Sequence, residues 1–379
     1  MSTEAMEPFR EVVANPYNRR IREEKDAGNK IIGYFCSYLP AEIIYAAGAI
    51  PYRITGIPGR DIGAGTTYLS ARTCTYCRNV LTLALENDLS FIDGVIGCNT
   101  CDQIRRATQN WMVKNPPSYH DVIHVPRVER EENISYFTEE LTSLKTGIEE
   151  WLNFRIRDDD LSSAIDLYNR GRKLLRELSE LRRNDAPPIS GAEMLTVAIA
   201  FHQMPIDDFI DAAQTLLESR KSATGRNGAV RVLVAGSLLD EPDYMTFVEE
   251  QGIDVVADPV CFGLRSYRDD VNVNEEPLTA LSRRYLTHFP CARIGDSFPE
   301  RLEAIMETYR EYRADGIIFQ KLKFCQLWGV DVLNMRPYCE ELDIPLLQLE
   351  REYGFFSTGQ MKTRLQAFVE LINARKEFN

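Results

Sequence analysis

The sequence predicts an α/β protein made of two parallel-sheet lobes with a helical domain between them. Three observations carry that expectation. A strand–helix–strand unit over 30–54 recurs in order and size at 230–256. The stretch Asp93-Gly-Val-Ile96 recurs as Asp315-Gly-Ile-Ile-Phe319, as two related lobes would repeat it. Between the two copies, residues 136–220 show only stripes of apolar residues at helical spacing. The resulting division is an N-terminal helical arm over 1–28, a first α/β lobe over 29–135, a helical domain over 136–221 and a second α/β lobe over 229–379.

Taken in order, the polar first 28 residues read as the helical arm. Lys30-Ile-Ile-Gly-Tyr-Phe35 is a strand, and Pro40 and Gly48 bracket a helix before the strand at 51–54. The glycine-rich stretch 56–65 lacks both the Gly-Lys-Ser/Thr ending of a P-loop and the dinucleotide-binding spacing, so it reads as an ordinary loop. Residues 78–88 have a helical pattern, and Phe91-Ile-Asp-Gly-Val-Ile-Gly97 is a short apolar strand. Asp121-Val-Ile-His-Val-Pro126 closes the first lobe, and the isolated His120 and His124 beside it read as structural. In the helical stretch, Leu141, Leu144, Ile148 and Leu152 share one face, as do Leu174, Leu175, Leu178 and Leu181. Ser190 and Glu193 form a capping box before the helix at 194–201. The stretch 222–228 is a linker, after which strands are expected at 230–236, 253–256, 315–319 and 344–348, with a last helix striped by Met361, Leu365, Phe368 and Ile372.

Composition narrows the function classes. The 379 residues allow two or three domains with sizeable cores, and 44% apolar with 27% charged residues is ordinary for a globular protein. A net charge of −13 disfavours nucleic acid or an anionic membrane surface as main partner. No stretch approaches the ~20 apolar residues of a membrane span, and the polar N-terminus lacks a signal peptide's apolar segment, so a cytoplasmic protein is expected. Nine cysteines in a reducing compartment point to metal ligation rather than to disulfides.

Those cysteines are clustered. Cys74-Thr-Tyr-Cys77 and Cys98-Asn-Thr-Cys101 flank a twenty-residue insert, and Cys325 follows the repeated Asp-Gly strand. Two Cys-x-x-Cys pairs at this distance suit a structural zinc site. The insert, however, carries a helix and a buried strand, which puts the second pair past a strand end, where open α/β sheets bind ligands. An iron–sulfur cluster between two lobes, a zinc site, and structural or redox thiols therefore all stand as readings. Arg72, Arg78, Arg105, Arg106, Lys321 and Lys323 flank the cysteines and could neutralise a cluster, hold an anionic ligand, or form surface ion pairs. Gly236-Ser237 follows a strand but lacks the rest of a nucleophile turn.

The ordered set Gly33-Tyr-Phe-Cys-Ser-Tyr-Leu-Pro-Ala-Glu-Ile-Ile-Tyr-Ala-Ala-Gly48, Cys74, Asp93-Gly94, Cys101-Asp102, Phe324-Cys325 and Ser357-Thr-Gly-Gln-Met361 resembles the 2-hydroxyacyl-CoA dehydratase/benzoyl-CoA reductase family. The resemblance runs through most of the chain. It implies two flavodoxin-like lobes, a helical portion, and a [4Fe-4S] cluster between the lobes on Cys74, Cys101 and Cys325. It further implies an acyl-CoA substrate and a second subunit of the same family. A separate ATP-hydrolysing iron–sulfur activator would inject one low-potential electron. In the dehydratases that electron makes a ketyl radical anion, which expels the 2-hydroxyl group; in the benzoyl-CoA reductases the ring is reduced. The sequence departs from the family pattern in Cys325-Gln-Leu-Trp-Gly and in the added Cys77 and Cys98. A branch of the family holds a double-cubane [8Fe-9S] cluster in a homodimer and reduces small molecules. Cys77 and Cys98, with Cys36 or Cys339 as a sixth thiol, are the candidate extra ligands for it. The leading expectation is the smaller, beta-type dehydratase subunit. The double-cubane reductase and a benzoyl-CoA reductase subunit stand next, and a zinc-stabilised, non-catalytic binding protein is the alternative from another class.

Overall fold

The structure, a computed structural model, describes residues 4–221, 223, 225, 229–295, 297–354 and 358–378. Most of the expected linker 222–228, and Ser357 of the Ser357–Met361 segment, fall outside the described residues.

Eight strands form two four-stranded sheets. The first contains β1 (Ile31–Tyr34), β2 (Ile50–Arg53), β3 (Gly94–Cys98) and β4 (Tyr119–Ile123) in the order β2-β1-β3-β4. The second contains β5 (Val230–Gly236), β6 (Ile253–Ala257), β7 (Gly316–Leu322) and β8 (Leu346–Arg351) in the order β6-β5-β7-β8. All pairings are parallel, so each crossover carries helices over a face of the sheet, and the central strands are buried on both sides. The two sheets thus share one topology, with the chain reversing direction beside the first strand of each.

The repeated Asp-Gly has a mechanical role that is the same in both lobes. Asp93 accepts the Ile31 N–H at 2.9 Å and returns its own N–H to the Ile31 carbonyl at 2.9 Å. Asp315 treats Arg231 likewise, at 2.8 and 2.7 Å. Each aspartate therefore locks the start of the first strand to that of the third. The glycine that follows leaves room for a neighbour: a Cβ on Gly316 would stand 2.8 Å from Ile372 and Phe368 of the C-terminal helix.

The helices Glu131–Leu152, Asp158–Glu180, Gly191–Phe201 and Ile206–Lys221 build the middle layer. Leu141, Leu144, Ile148, Leu174, Leu175 and Leu178 are all buried in one core, at ~1.5–3 kcal/mol for each fully buried side chain. The Ser190–Glu193 capping box is formed, with reciprocal bonds of 3.1 Å. This core also draws on neighbouring sequence: Met6, Phe9 and Val12 of the N-terminal arm enter it, and so do Leu278, Leu281 and Leu286 of the helix Pro277–Thr287, between β6 and β7. Arg182 and Asp258, both fully buried and 2.7 Å apart, pin the helical layer to the end of β6.

The glycine-rich stretch differs from the loop expected there. Its second half is the helix Gly63–Tyr68, and a Cβ on Gly65 would lie 2.1 Å from the Arg78 carbonyl oxygen. Close approach to the helix Thr75–Leu85 accounts for that glycine.

Candidate metal centre

The carboxyl ends of the strands in both sheets face a single cavity of about 240 Å³, the position where parallel sheets bind ligands. Three of its lining thiols share one local geometry. Cys74 precedes the helix Thr75–Leu85, Cys101 the helix Asp102–Lys114, and Cys325 the helix Gln326–Glu341, each at the N-cap. None makes a full capping hydrogen bond through sulfur. Free N–H groups of the first turn nevertheless lie close enough to favour each thiolate: Tyr76 and Cys77 for Cys74, Gln103 and Ile104 for Cys101, Trp328 for Cys325. The first two helices belong to one lobe and the third to the other, so the set exists only because the lobes pack together.

Burial opposes ionisation at all three sulfurs and prevails at two, pushing Cys101 up to about 11 and Cys325 higher still. Cys74 is shifted down, chiefly by its hydrogen bond with Cys77, whose sulfur is 3.4 Å away. Cys77 lies inside the helix, where its own thiol is shifted well up, chiefly by the same contact with Cys74.

Of the further candidates, Cys77 and Cys36 line the cavity and Cys98 does not. Cys98 ends β3 in the core beneath and hydrogen-bonds to Cys36, which drops to about 5 with Thr100 and Arg53 also contributing. Cys339 is buried near the other end of its helix, in a core shared with Ile305, Met306 and Ile317, and does not line the cavity. The four thiols of the two Cys-x-x-Cys pairs are therefore not gathered at one point, as a zinc knuckle would require. Two lining cysteines escaped the sequence reading, Cys261 and Cys291. Cys261 follows the end of β6, so asking which cysteines trail a strand would have found it. Cys291 lies beyond a long helical excursion, and its spacing carries no signal.

The charged residues also differ from expectation. Arg105 and Arg106 pair with Asp102, Lys321 with Glu350 and Lys323 with Glu352, the surface ion pairs that formed one of the readings. Arg78 is buried and braces the Cys74 loop through the Thr73 carbonyl. The cations that line the cavity are instead Arg53, Arg127 and Arg293. Arg265 stands behind them, its Nη1 3.3 Å from the Cys261 sulfur. Arg53, Arg265 and Arg293 are buried and form no ion pair among the described residues. They donate to carbonyls (Arg53 to Cys261, Arg265 to Phe289, Arg293 to Val125 and Pro126). Burying an uncompensated guanidinium costs several kcal/mol, so the cavity is built for anionic content. Ser237, also in the wall, uses its hydroxyl to accept the Leu322 N–H at 2.8 Å, a bond that ties the ends of β5 and β7 together.

The donor set fits an iron–sulfur group better than a single ion. Among the described residues no three Cys, His, Asp or Glu side chains converge on a single-ion site. Separated thiols around a cationic cleft suit a larger anionic group with soft-metal vertices. Phe35, Tyr76, Leu322 and Trp328 supply the apolar wall.

Similarity to known proteins agrees with this arrangement. Residues 36–372 match the family described as 2-hydroxyglutaryl-CoA dehydratase, D-component. One subunit of the benzoyl-CoA reductase of Thauera aromatica is 27% identical over 90% of this chain and 89% of its own length. The (R)-phenyllactyl-CoA dehydratase beta subunit of Clostridium sporogenes is 26% identical over 96% and 97%. The beta subunit of the (R)-2-hydroxyglutaryl-CoA dehydratase of Acidaminococcus fermentans is 26% identical over 96% and 98%. No helix among the described residues is long and apolar enough to cross a membrane. The chain belongs to the 2-hydroxyglutaryl-CoA dehydratase D-component family and is a component of a 2-hydroxyacyl-CoA dehydratase-type enzyme.

Proposed function

We propose that the chain is a cytoplasmic iron–sulfur subunit that acts on an acyl-CoA thioester, with a [4Fe-4S] cluster held by Cys74, Cys101 and Cys325. The observation that carries this reading is the convergence of three N-cap cysteines from two lobes on one cavity. The cluster, when bound, supplies low-potential one-electron chemistry at the cleft. The chain's own residues do the rest. Helix N-termini favour the thiolates, Arg53 and Arg293 offset negative charge, and Tyr76 and Trp328 help exclude water. The relatives are themselves named as subunits, which supports a partner of the same family, either a different chain or a second copy. With no phosphate loop in the sequence, ATP hydrolysis falls to a separate activator.

A second reading is favoured by one observation: Cys36, Cys77, Cys261 and Cys291 line the same cavity, backed by Arg265. Together with Cys74, Cys101 and Cys325 they exceed the six thiolates needed for a double-cubane [8Fe-9S] cluster and an ATP-dependent reductase of small molecules. Anaerobic purification followed by iron and acid-labile sulfide counts tests both. About four irons per chain, unchanged in Cys261→Ser/Cys291→Ser, support the single cubane, whereas about eight, halved in that variant, support the double one. Zinc without sulfide would overturn both.

A further inference from the structure

The geometry points to Gln103 as the positioning residue that sets the spacing of the cavity thiols across the two lobes. This rests on the reading of Cys74, Cys101 and Cys325 as the cluster ligands. Gln103 sits in the first turn of the helix Asp102–Lys114, two residues past Cys101, and its own N–H is one of those favouring the Cys101 thiolate. Its side-chain Oε1 accepts the Cys74 N–H at 2.6 Å, and its Nε2 donates to the Phe324 carbonyl at 2.8 Å. One amide thereby ties together all three cysteine loops, two from the first lobe and one from the second.

The chemistry leaves little choice of residue. A backbone N–H must meet an oxygen and a backbone carbonyl must meet an N–H donor, so the amide has only one productive orientation. Leucine offers neither group. A carboxylate keeps the bond from Cys74 but sets oxygen against the Phe324 oxygen, and asparagine is one methylene short. The carbonyl end matters most, because Phe324 has φ of +67°, a left-handed conformation that side-chain-bearing residues adopt only when their surroundings enforce it. That turn aims Cys325. Other links hold the lobes together without Gln103: Thr75 Oγ1 to Glu352 at 2.7 Å, Arg53 to the Cys261 carbonyl at 2.9 Å, and the Gly56 N–H to Asp240 at 3.2 Å. Losing the amide should therefore alter thiol spacing without separating the lobes.

The test uses the full-length, metal-free chain and a short bifunctional thiol reagent such as dibromobimane. Peptide mass mapping then gives the yield of the interlobe Cys101–Cys325 link relative to the intralobe Cys74–Cys77 link. Gln103→Leu should lower that ratio several-fold while the urea unfolding midpoint stays near that of the wild type. Gln103→Glu should lower the ratio too, because its carboxylate accepts from Cys74 but cannot donate to the Phe324 carbonyl. The reconstituted variants should show a shifted cluster potential. An unchanged ratio in both variants would overturn the proposal. The cross-linking ratio needs no iron: a wild-type chain without iron would sink the cluster reading while leaving the clamp to be judged by this ratio alone.

Discussion

The two lobes have the same strand order, yet equivalent strand ends carry different chemistry. Past the third strand, each lobe places a cysteine at a helix N-cap, Cys101 after β3 and Cys325 after β7. Past the first strand they diverge. The first lobe has Cys36 facing the cavity, and the second has Ser237, whose hydroxyl is spent closing the end of β7. Past the second strand, Cys261 comes almost at once, whereas Cys74 arrives only after a loop and a short helix. Parallel topology thus fixes where a thiol can reach the cleft, and the individual loops decide which of those places are used. The lobes also differ in how they are held. The second has a fully buried ion pair of its own, Glu241 with Arg351, whereas in the first Glu42 finds its buried partner outside the lobe, in Arg172 of the helical layer at 2.8 Å.

That asymmetry gives the largest expected effect on stability. Arg351→Ala would strand Glu241 in the interior, and breaking one side of a buried pair costs ~3–5 kcal/mol. Denaturant unfolding of the metal-free chain measures it, and a change below about 1 kcal/mol would mean that solvent reaches Glu241.

The shared Asp-Gly lock predicts equal, smaller losses. Asp93→Ala and Asp315→Ala each remove a carboxylate that accepts a strand N–H, worth ~1.5–3 kcal/mol. The same experiment would break the parallel between the lobes if one variant were neutral and the other not.

The seam between the lobes predicts an effect confined to pH dependence. Asp240 is buried, with the Glu241 charge nearby, and is pushed up to about 7, although it accepts from Gly56 and Tyr353. Its unfolded value is about 3.9. Between those values the native chain holds a proton that the unfolded chain has released, so this group's contribution to stability falls as pH rises from about 4 to about 7 and is flat beyond. Asp240→Asn should remove that slope. Urea midpoints at about pH 5 and about pH 8 check it, and an identical slope in wild type and variant would contradict the assignment.

Much of the scaffold was legible in the sequence because its signals are local. Strand runs, the Ser190–Glu193 box and the leucine stripes each report on a few neighbouring residues, and all were recovered. Cys101 and Cys325 stand past strand ends visible in the pattern, whereas Cys74 was singled out beside them only through the family resemblance. Residues brought in from a distance were not legible. Cys291 reaches the cavity after the helix Pro277–Thr287, and Arg53 points into it from the end of β2, neither of which any spacing encodes. Lys321 and Lys323 mislead in the opposite sense. They adjoin Cys325 in sequence, but strand alternation sends both outward to Glu350 and Glu352 of the β8 segment.

The central claim is that thiols from the two lobes hold one centre. Its most direct test is the iron and sulfide content of Cys101→Ala and Cys325→Ala, each reconstituted anaerobically beside the wild type. Both chains should stay folded, since the sheets and the helical core do not need the metal, and both should lose iron to a similar extent. A Cys325→Ala chain that kept its full iron and sulfide would confine the centre to the first lobe and contradict the account.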